Sequence, residues 1–116
     1  MRREKVLALL PDGSGKKILD LASGPGIMIK GLRAKNYTVT CVDAAPGMIE
    51  LARKEADNDP GVSCEVGDAY SLRFSDASFD SIVAMGLIEY LHDGDRYLSE
   101  MRRVLASGGT LILTYP

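Results

Sequence analysis

Residues 18–26 read Ile-Leu-Asp-Leu-Ala-Ser-Gly-Pro-Gly, and Asp43 stands nineteen positions beyond Gly24 at the end of a second apolar run. These two stretches leave few folds open. A short strand carries a carboxylate, Asp20, near its end. A tight glycine turn follows, then a helix, then a second strand that delivers another acid to the same margin of a sheet. Glycine at Gly24 and Gly26 lets the backbone approach a ligand that any Cβ would hold off. The start of the helix behind them is expected to offer unpaired N–H groups. Asp43 is placed to accept two hydrogen bonds from a vicinal diol such as that of a ribose. The pairing reads as a site for a nucleoside-containing cofactor.

The loop discriminates between two classes of such cofactor. A nicotinamide dinucleotide favours Gly-x-Gly-x-x-Gly, whose third small residue lets helix and strand pack closely. Here that position is Ile29. A carboxylate at Asp20 would also repel a doubly anionic pyrophosphate. S-adenosylmethionine has no phosphate and carries an ammonium and a sulfonium, both of which suit a nearby acid. Gly24-Pro25-Gly26 by itself is equally the mark of an ordinary strand-to-helix turn.

Apolar runs alternate with helical patterns along the chain, which predicts an α/β fold: a doubly wound, mostly parallel sheet with helices on both faces. Strands are expected near 17–21, 38–43, 62–66, 80–85 and 109–115, and helices near 25–35, 46–57 and 95–106. Pro46 suits a helix first turn. Asp95 is expected to cap the last helix, with Gly108 just past its end. Tyr97, Leu98, Met101, Val104 and Leu105 form one apolar helical stripe. Arg33, Lys35, Arg53 and Lys54 read as solvated helix faces. Gly67-Asp68-Ala69 follows the third strand and brings a third acid to a strand end.

Five segments then come in a recognisable order: 19–26 (Leu-Asp-Leu-Ala-Ser-Gly-Pro-Gly), 42–48 (Val-Asp-Ala-Ala-Pro-Gly-Met), 67–69, 79–83 (Phe-Asp-Ser-Ile-Val) and 103–109 (Arg-Val-Leu-Ala-Ser-Gly-Gly). In these the chain resembles the class I S-adenosylmethionine-dependent methyltransferases of the small-molecule type, over nearly all of residues 16–116. The resemblance implies a Rossmann-like fold and residue roles. Asp20 would hold the methionine end of the cofactor, lined by the backbone of Ala22, Ser23 and Gly24, with Gly26 completing the turn. Asp43 would take the ribose. Ala44 and Met48 would flank the adenine, and Asp68 with the Ala69 N–H would read its edge. Met85 and Gly86 would border the methyl-transfer point. The sequence departs from the family at Ala22, where glycine is usual. Each role competes with a plainer one: Asp43 as the acid ahead of the helix at Pro46, Met48 as core, Asp68 as a turn residue. Glu89, Tyr90 and His92 lie just beyond the fourth strand, and Leu91-His92-Asp93-Gly94 reads as a solvated turn rather than a catalytic base. No catalytic residue is assigned.

The resemblance also implies a sheet of seven strands, whereas the chain ends at Tyr115-Pro116, so residues 1–116 are expected to be one domain truncated after the fifth strand. The fifth strand would then present an apolar edge that a homodimer or another partner covers. The net charge of −2 and the lack of a basic stripe disfavour nucleic acid. No apolar stretch approaches the ~20 residues of a membrane span, and the N-terminal run is too short for a signal. Cys41 and Cys64 read as buried thiols of a cytoplasmic protein, and no Cys/His cluster has metal-ligand spacing. The expected function is methyl transfer from S-adenosylmethionine to a small-molecule acceptor. The alternatives are a non-catalytic or partner-dependent cofactor-binding module and, against Ile29, Asp20 and Asp68, an NAD(P)-dependent oxidoreductase.

Overall fold

A computed structural model of the protein describes residues 3–85 and 94–114. Its elements are α1 (Arg3–Leu9), β1 (Lys17–Leu21), α2 (Ile29–Ala34), β2 (Thr38–Asp43), α3 (Pro46–Ala56), β3 (Val62–Val66), β4 (Phe79–Met85), α4 (Gly94–Val104) and β5 (Leu105–Thr114). The strands form one sheet in the order β3-β2-β1-β4-β5, and every pairing is parallel. β1 is central and is buried from Ile18 to Leu21. That is why its sequence runs apolar instead of alternating.

The two faces are covered unequally. Ile18, Val39, Cys41, Val83 and Ile112 point to the face packed by α1, α2 and α3 through Val6, Leu10, Met28, Ile29, Leu32 and Ala52. Leu19, Leu21, Val42, Ile82 and Ala84 point to the other face, which α4 covers with Tyr97, Met101 and Val104. The registers Asp20↔Cys41, Cys41↔Cys64, Asp20↔Val83 and Val83↔Ile112 put Asp20 in a row across all five strands, on the first face, between Cys41 and Val83. Cys41 and Cys64 are free thiols, the first buried and the second half-buried.

Several expectations change. α1 answers to no expectation from the sequence; it is held by buried Val6 and by an Arg3 Nη1 bond to the Ile27 carbonyl (3.3 Å). α2 begins at Ile29 rather than 25, because Gly24 (φ +57°) and Gly26 (φ +87°) are left-handed and cannot be helical. α4 begins at Gly94, which puts Asp95 inside its first turn instead of ahead of it. It ends at Val104, so Leu105 leaves the apolar stripe and opens β5, four residues earlier than expected. Leu105 pairs with Phe79 and Thr110 with Ser81, so the intervening segment bulges out of the ladder around Gly108 (φ +78°). Arg33 is no solvated cation. Its Nε and Nη2 grip Asp59 at 2.8 and 3.1 Å and its Nη1 donates to the Tyr37 carbonyl at 2.8 Å. Arg53 likewise donates to the Cys64 carbonyl (3.0 Å).

Tyr37 is fully buried, and its hydroxyl donates to the Pro11 carbonyl at 3.0 Å. A Cβ on Gly13 would be driven into that ring. Overpacking against a rigid ring costs ~1–3 kcal/mol. Gly13→Ala should therefore lower unfolding stability by about that amount in urea titration, with an unchanged slope.

Candidate functional site

Since all pairings are parallel, the C-terminal ends of β1, β2, β3 and β4 share one margin of the sheet. From β1 the chain steps outward through β2 to β3, and only later occupies the opposite side with β4 and β5. Loops leaving β1 and β4 diverge at such a reversal and open a crevice between them. The structure brings Asp20, Ala22, Ser23, Gly24, Gly26, Asp43, Ala44, Met48, Asp68, Ala69 and Met85 to this margin. Gly86 lies outside the described residues, as do Glu89, Tyr90 and His92.

Asp43 ties the margin together. Its Oδ2 accepts the Gly24 N–H and its Oδ1 the Ala45 N–H, both at 2.9 Å. Its carbonyl accepts the Gly67 N–H at 3.1 Å. One residue thus joins the loop after β1, the cap of α3 and the end of β3. The bond to the Ala45 N–H is a two-residue turn that leads into α3, and each carboxylate oxygen keeps a second lone pair.

The glycine turn spends its donors internally. Ser23 N–H bonds the Val42 carbonyl (3.1 Å), Gly26 N–H the Ser23 carbonyl (3.2 Å) and Ile29 N–H the Gly26 carbonyl (3.1 Å). The expected set of unpaired N–H groups at the head of the helix is therefore not offered by Gly24, Gly26 or Ile29. The two glycines differ in purpose. A Cβ on Gly26 would meet Ile29 Cδ1 at 2.7 Å and Ala52 Cα at 3.1 Å, so this glycine lets the loop close onto α3. A Cβ on Gly24 would meet nothing within 4 Å; its glycine answers to conformation and to the open space beside it. Ala22 sits at φ +59°. Left-handed backbone costs an L-residue ~1–2 kcal/mol, so the departure from glycine here stores strain at the site.

Asp20 is 2% exposed, and its Oδ2 has no hydrogen-bond partner. Burial, and then the charge of Asp43, push its carboxyl up to about 7. Burial and then Asp20 likewise push the Cys41 thiol far up, so this cysteine is inert packing. Neither Asp20 nor Asp43 is paired with a Lys or Arg among the described residues. A crevice with two unneutralised acids attracts a cationic ligand and repels a phosphate.

Around it, Ala44 is exposed and Met48 is 37% exposed, which rules out core packing for Met48. Asp68 is exposed; its Oδ1 accepts the Tyr70 N–H at 2.9 Å and its carbonyl the Ser71 N–H at 3.0 Å. The turn role is therefore real, and it fixes where the carboxylate stands. Ala69 packs on the α4 face and Met85 against the opposite one.

Stability should follow the protonation of Asp20. Its folded pKa lies above the ordinary value of 3.8, so the folded state holds the extra proton. The contribution is full below about pH 4 and is lost as pH rises towards about 7. Asp20→Asn removes the burial of that charge. At pH 8 the ligand-free variant should be more stable than the parent by ~1–3 kcal/mol, the usual cost of an unsatisfied buried group. The gap should close at pH 4 in parallel denaturation curves.

Comparison with known proteins agrees with this architecture. The methyltransferase domain family matches residues 19–113. A demethylmenaquinone methyltransferase from Thermotoga maritima is 37% identical over 114 residues, covering 96% of this chain and 48% of its own. A chloroplastic 2-methyl-6-phytyl-1,4-hydroquinone methyltransferase from rice is 36% identical over 104 residues, covering 88% and 31%. Among solved structures, the complex between the Haloferax volcanii Trm112 methyltransferase activator and a methyltransferase superposes with a TM-score of 0.89 at 33% identity, over 95% of this chain and 49% of that one. The chain spans half or less of the length of these relatives. With the family's segments in order, the strand order reversing at the crevice and the acids on its margin, the chain belongs to the class I S-adenosylmethionine-dependent methyltransferases.

Proposed function

We propose that this chain binds S-adenosylmethionine in the crevice, and that the protein transfers its methyl group to a small-molecule acceptor. One observation carries the reading: Asp43 is fixed by the Gly24 and Ala45 N–H groups beside a buried, unneutralised Asp20. The fit is chemical. A buried carboxylate without a counter-charge is costly until a cation completes it. The Gly24, Gly26 and Ile29 N–H groups are already bonded within the chain and are not open to a pyrophosphate, which counts against a nicotinamide dinucleotide.

In this reading the remaining lone pairs of Asp43 accept the ribose hydroxyls. Asp20 answers the ammonium side of the methionine moiety, along the backbone of Ala22, Ser23 and Gly24, with Gly26 closing the turn behind them. Asp68 and the Ala69 N–H read the adenine edge, flanked by Ala44 and Met48. Met85 and Gly86 border the transfer point. When bound, the cofactor would supply the electrophilic methyl, with its thioether as the leaving group of an in-line displacement; the chain would position it. No side chain here is assigned as a base. The names of the Thermotoga and rice relatives, both for small molecules, support an acceptor of that class.

A second reading rests on the complex with an activator. A partner chain governs whether this cofactor-binding unit works, and the outer edge of β5, which is paired with β4 alone in the described sheet, is one face for it. Light scattering on the purified chain should then show self-association; a monomer at all concentrations speaks against the edge.

Calorimetry should give tighter binding of S-adenosylhomocysteine than of NADH. Asp43→Ala should weaken the former about tenfold or more, since charge-assisted hydrogen bonds contribute ~1.5–3 kcal/mol. Stability should also fall by ~1 kcal/mol, because Asp43 holds two backbone N–H groups. Tighter NADH binding sinks the cofactor reading. Unchanged affinity in a destabilised variant makes Asp43 a loop tie alone.

A further inference from the structure

α4 carries two parallel stripes. Tyr97, Met101 and Val104 anchor it in the core. Arg96, Glu100 and Arg103, each one position earlier, share the i, i+4, i+7 spacing of a single helix face. This polar stripe spends its contacts on the segment between β3 and β4, which has no helix or strand of its own beyond an Asp68–Ser71 bridge. The Arg96 guanidinium lies 5.4 Å from the centroid of the Tyr70 ring. Glu100 Oε1 accepts the Leu72 N–H at 2.7 Å. Arg103 donates through Nη2 to the Leu72 carbonyl at 2.9 Å and through Nη1 to the Phe74 carbonyl at 2.7 Å and Asp76 Oδ1 at 3.0 Å. Its Nε and Nη2 meet Glu100 at 2.7 and 3.1 Å.

The grip reaches Asp68 through the loop backbone. Tyr70 N–H donates to the Asp68 carboxylate and Ser71 N–H to its carbonyl, so whatever fixes residues 70–72 fixes the direction of that carboxylate. The hydrogen bonds from Arg103, ahead of the other causes, lower the Glu100 carboxyl from its ordinary value, which keeps the pair charged. The guanidinium fork meets two carbonyls and two carboxylates at once, which an ammonium cannot do. The apolar stripe already seats α4, and Leu72 and the edge-to-face pair Phe74–Phe79 (centroids 5.0 Å apart) already seat the loop. The polar stripe therefore adds orientation rather than adhesion.

We propose that Arg96, Glu100 and Arg103 are positioning residues for adenine recognition, holding the 68–76 loop so that Asp68 meets the exocyclic amino group of the base. The inference rests on the cofactor reading above. They touch no ligand atom in this account; they act through Asp68 and the loop backbone.

The test is a double-mutant cycle by calorimetry on the full chain, with S-adenosylhomocysteine and its inosine counterpart, which has an oxo group in place of the amino group. Arg103→Lys should weaken the adenosyl ligand about tenfold, weaken the inosyl ligand much less, and cost almost nothing further in an Asp68→Ala background. In an Asp43→Ala background the full penalty should return. Glu100→Gln keeps an acceptor for Leu72 but lacks the charge that holds Arg103, and should repeat the pattern at smaller size if Arg103→Lys folds poorly. Penalties that are equal for both ligands, or undiminished without Asp68, reduce the stripe to a fold element and overturn the inference while leaving the cofactor reading intact. A parent protein that binds neither ligand overturns both.

Discussion

A single carboxylate governs the active margin of this sheet. Asp43 closes β2, and its oxygens take the backbone N–H of Gly24 on one side and of Ala45 on the other. Charge-assisted bonds of this kind are roughly twice as strong as neutral ones. The glycine turn adopts its left-handed path because Asp43 holds it there. α3 starts where it does because Asp43 and Pro46 define its first turn. The end of β3 is held by the carbonyl of the same residue. A ligand that accepts hydrogen bonds from none of these groups but donates to Asp43 finds the acceptor already immobilised, so little ordering is left to occur on binding.

The fold tolerates two costs at this margin. Asp20 is buried in an apolar row between Cys41 and Val83, with one oxygen unpartnered, and Ala22 holds a backbone conformation that suits glycine. Neither helps the ligand-free chain. Both lie within the turn that follows β1, and both make sense only if the empty state is not the state for which the turn is shaped.

Most of the fold was legible in the sequence, and the reasons it was not legible throughout are local. The four inner and outer strands from Lys17 to Met85 could be read to within a residue because apolar runs covered on both faces admit little else. The start of α2 is not legible in the sequence, because periodicity does not see that Gly24 and Gly26 are left-handed. Spacing alone does not separate Leu105 from the helical stripe, because an apolar residue at that position serves a strand equally well. Asp20, Asp43 and Asp68 were visible as acids at or just past strand ends, which parallel topology gathers on one margin. Arg33 and Arg103 were not, because a cation that bridges segments 26 or 31 positions apart looks the same in sequence as one in solvent. α1 is too short for periodicity to mark it, and only its packing partners define it.

The junction between α4 and β5 has a mechanical meaning. Val104 ends the helix and Leu105 opens the strand with no residue between them. Such a join leaves no linker: a displacement of the edge strand beyond Thr110 meets the bulge around Gly108 and then the helix. The helix in turn is clamped to the segment that carries Asp68. Edge, helix and loop form one kinematic chain, with the bulge around Gly108 as its compliant element. A body docked along β5 would hold one end of a lever whose other end rests beside Asp68.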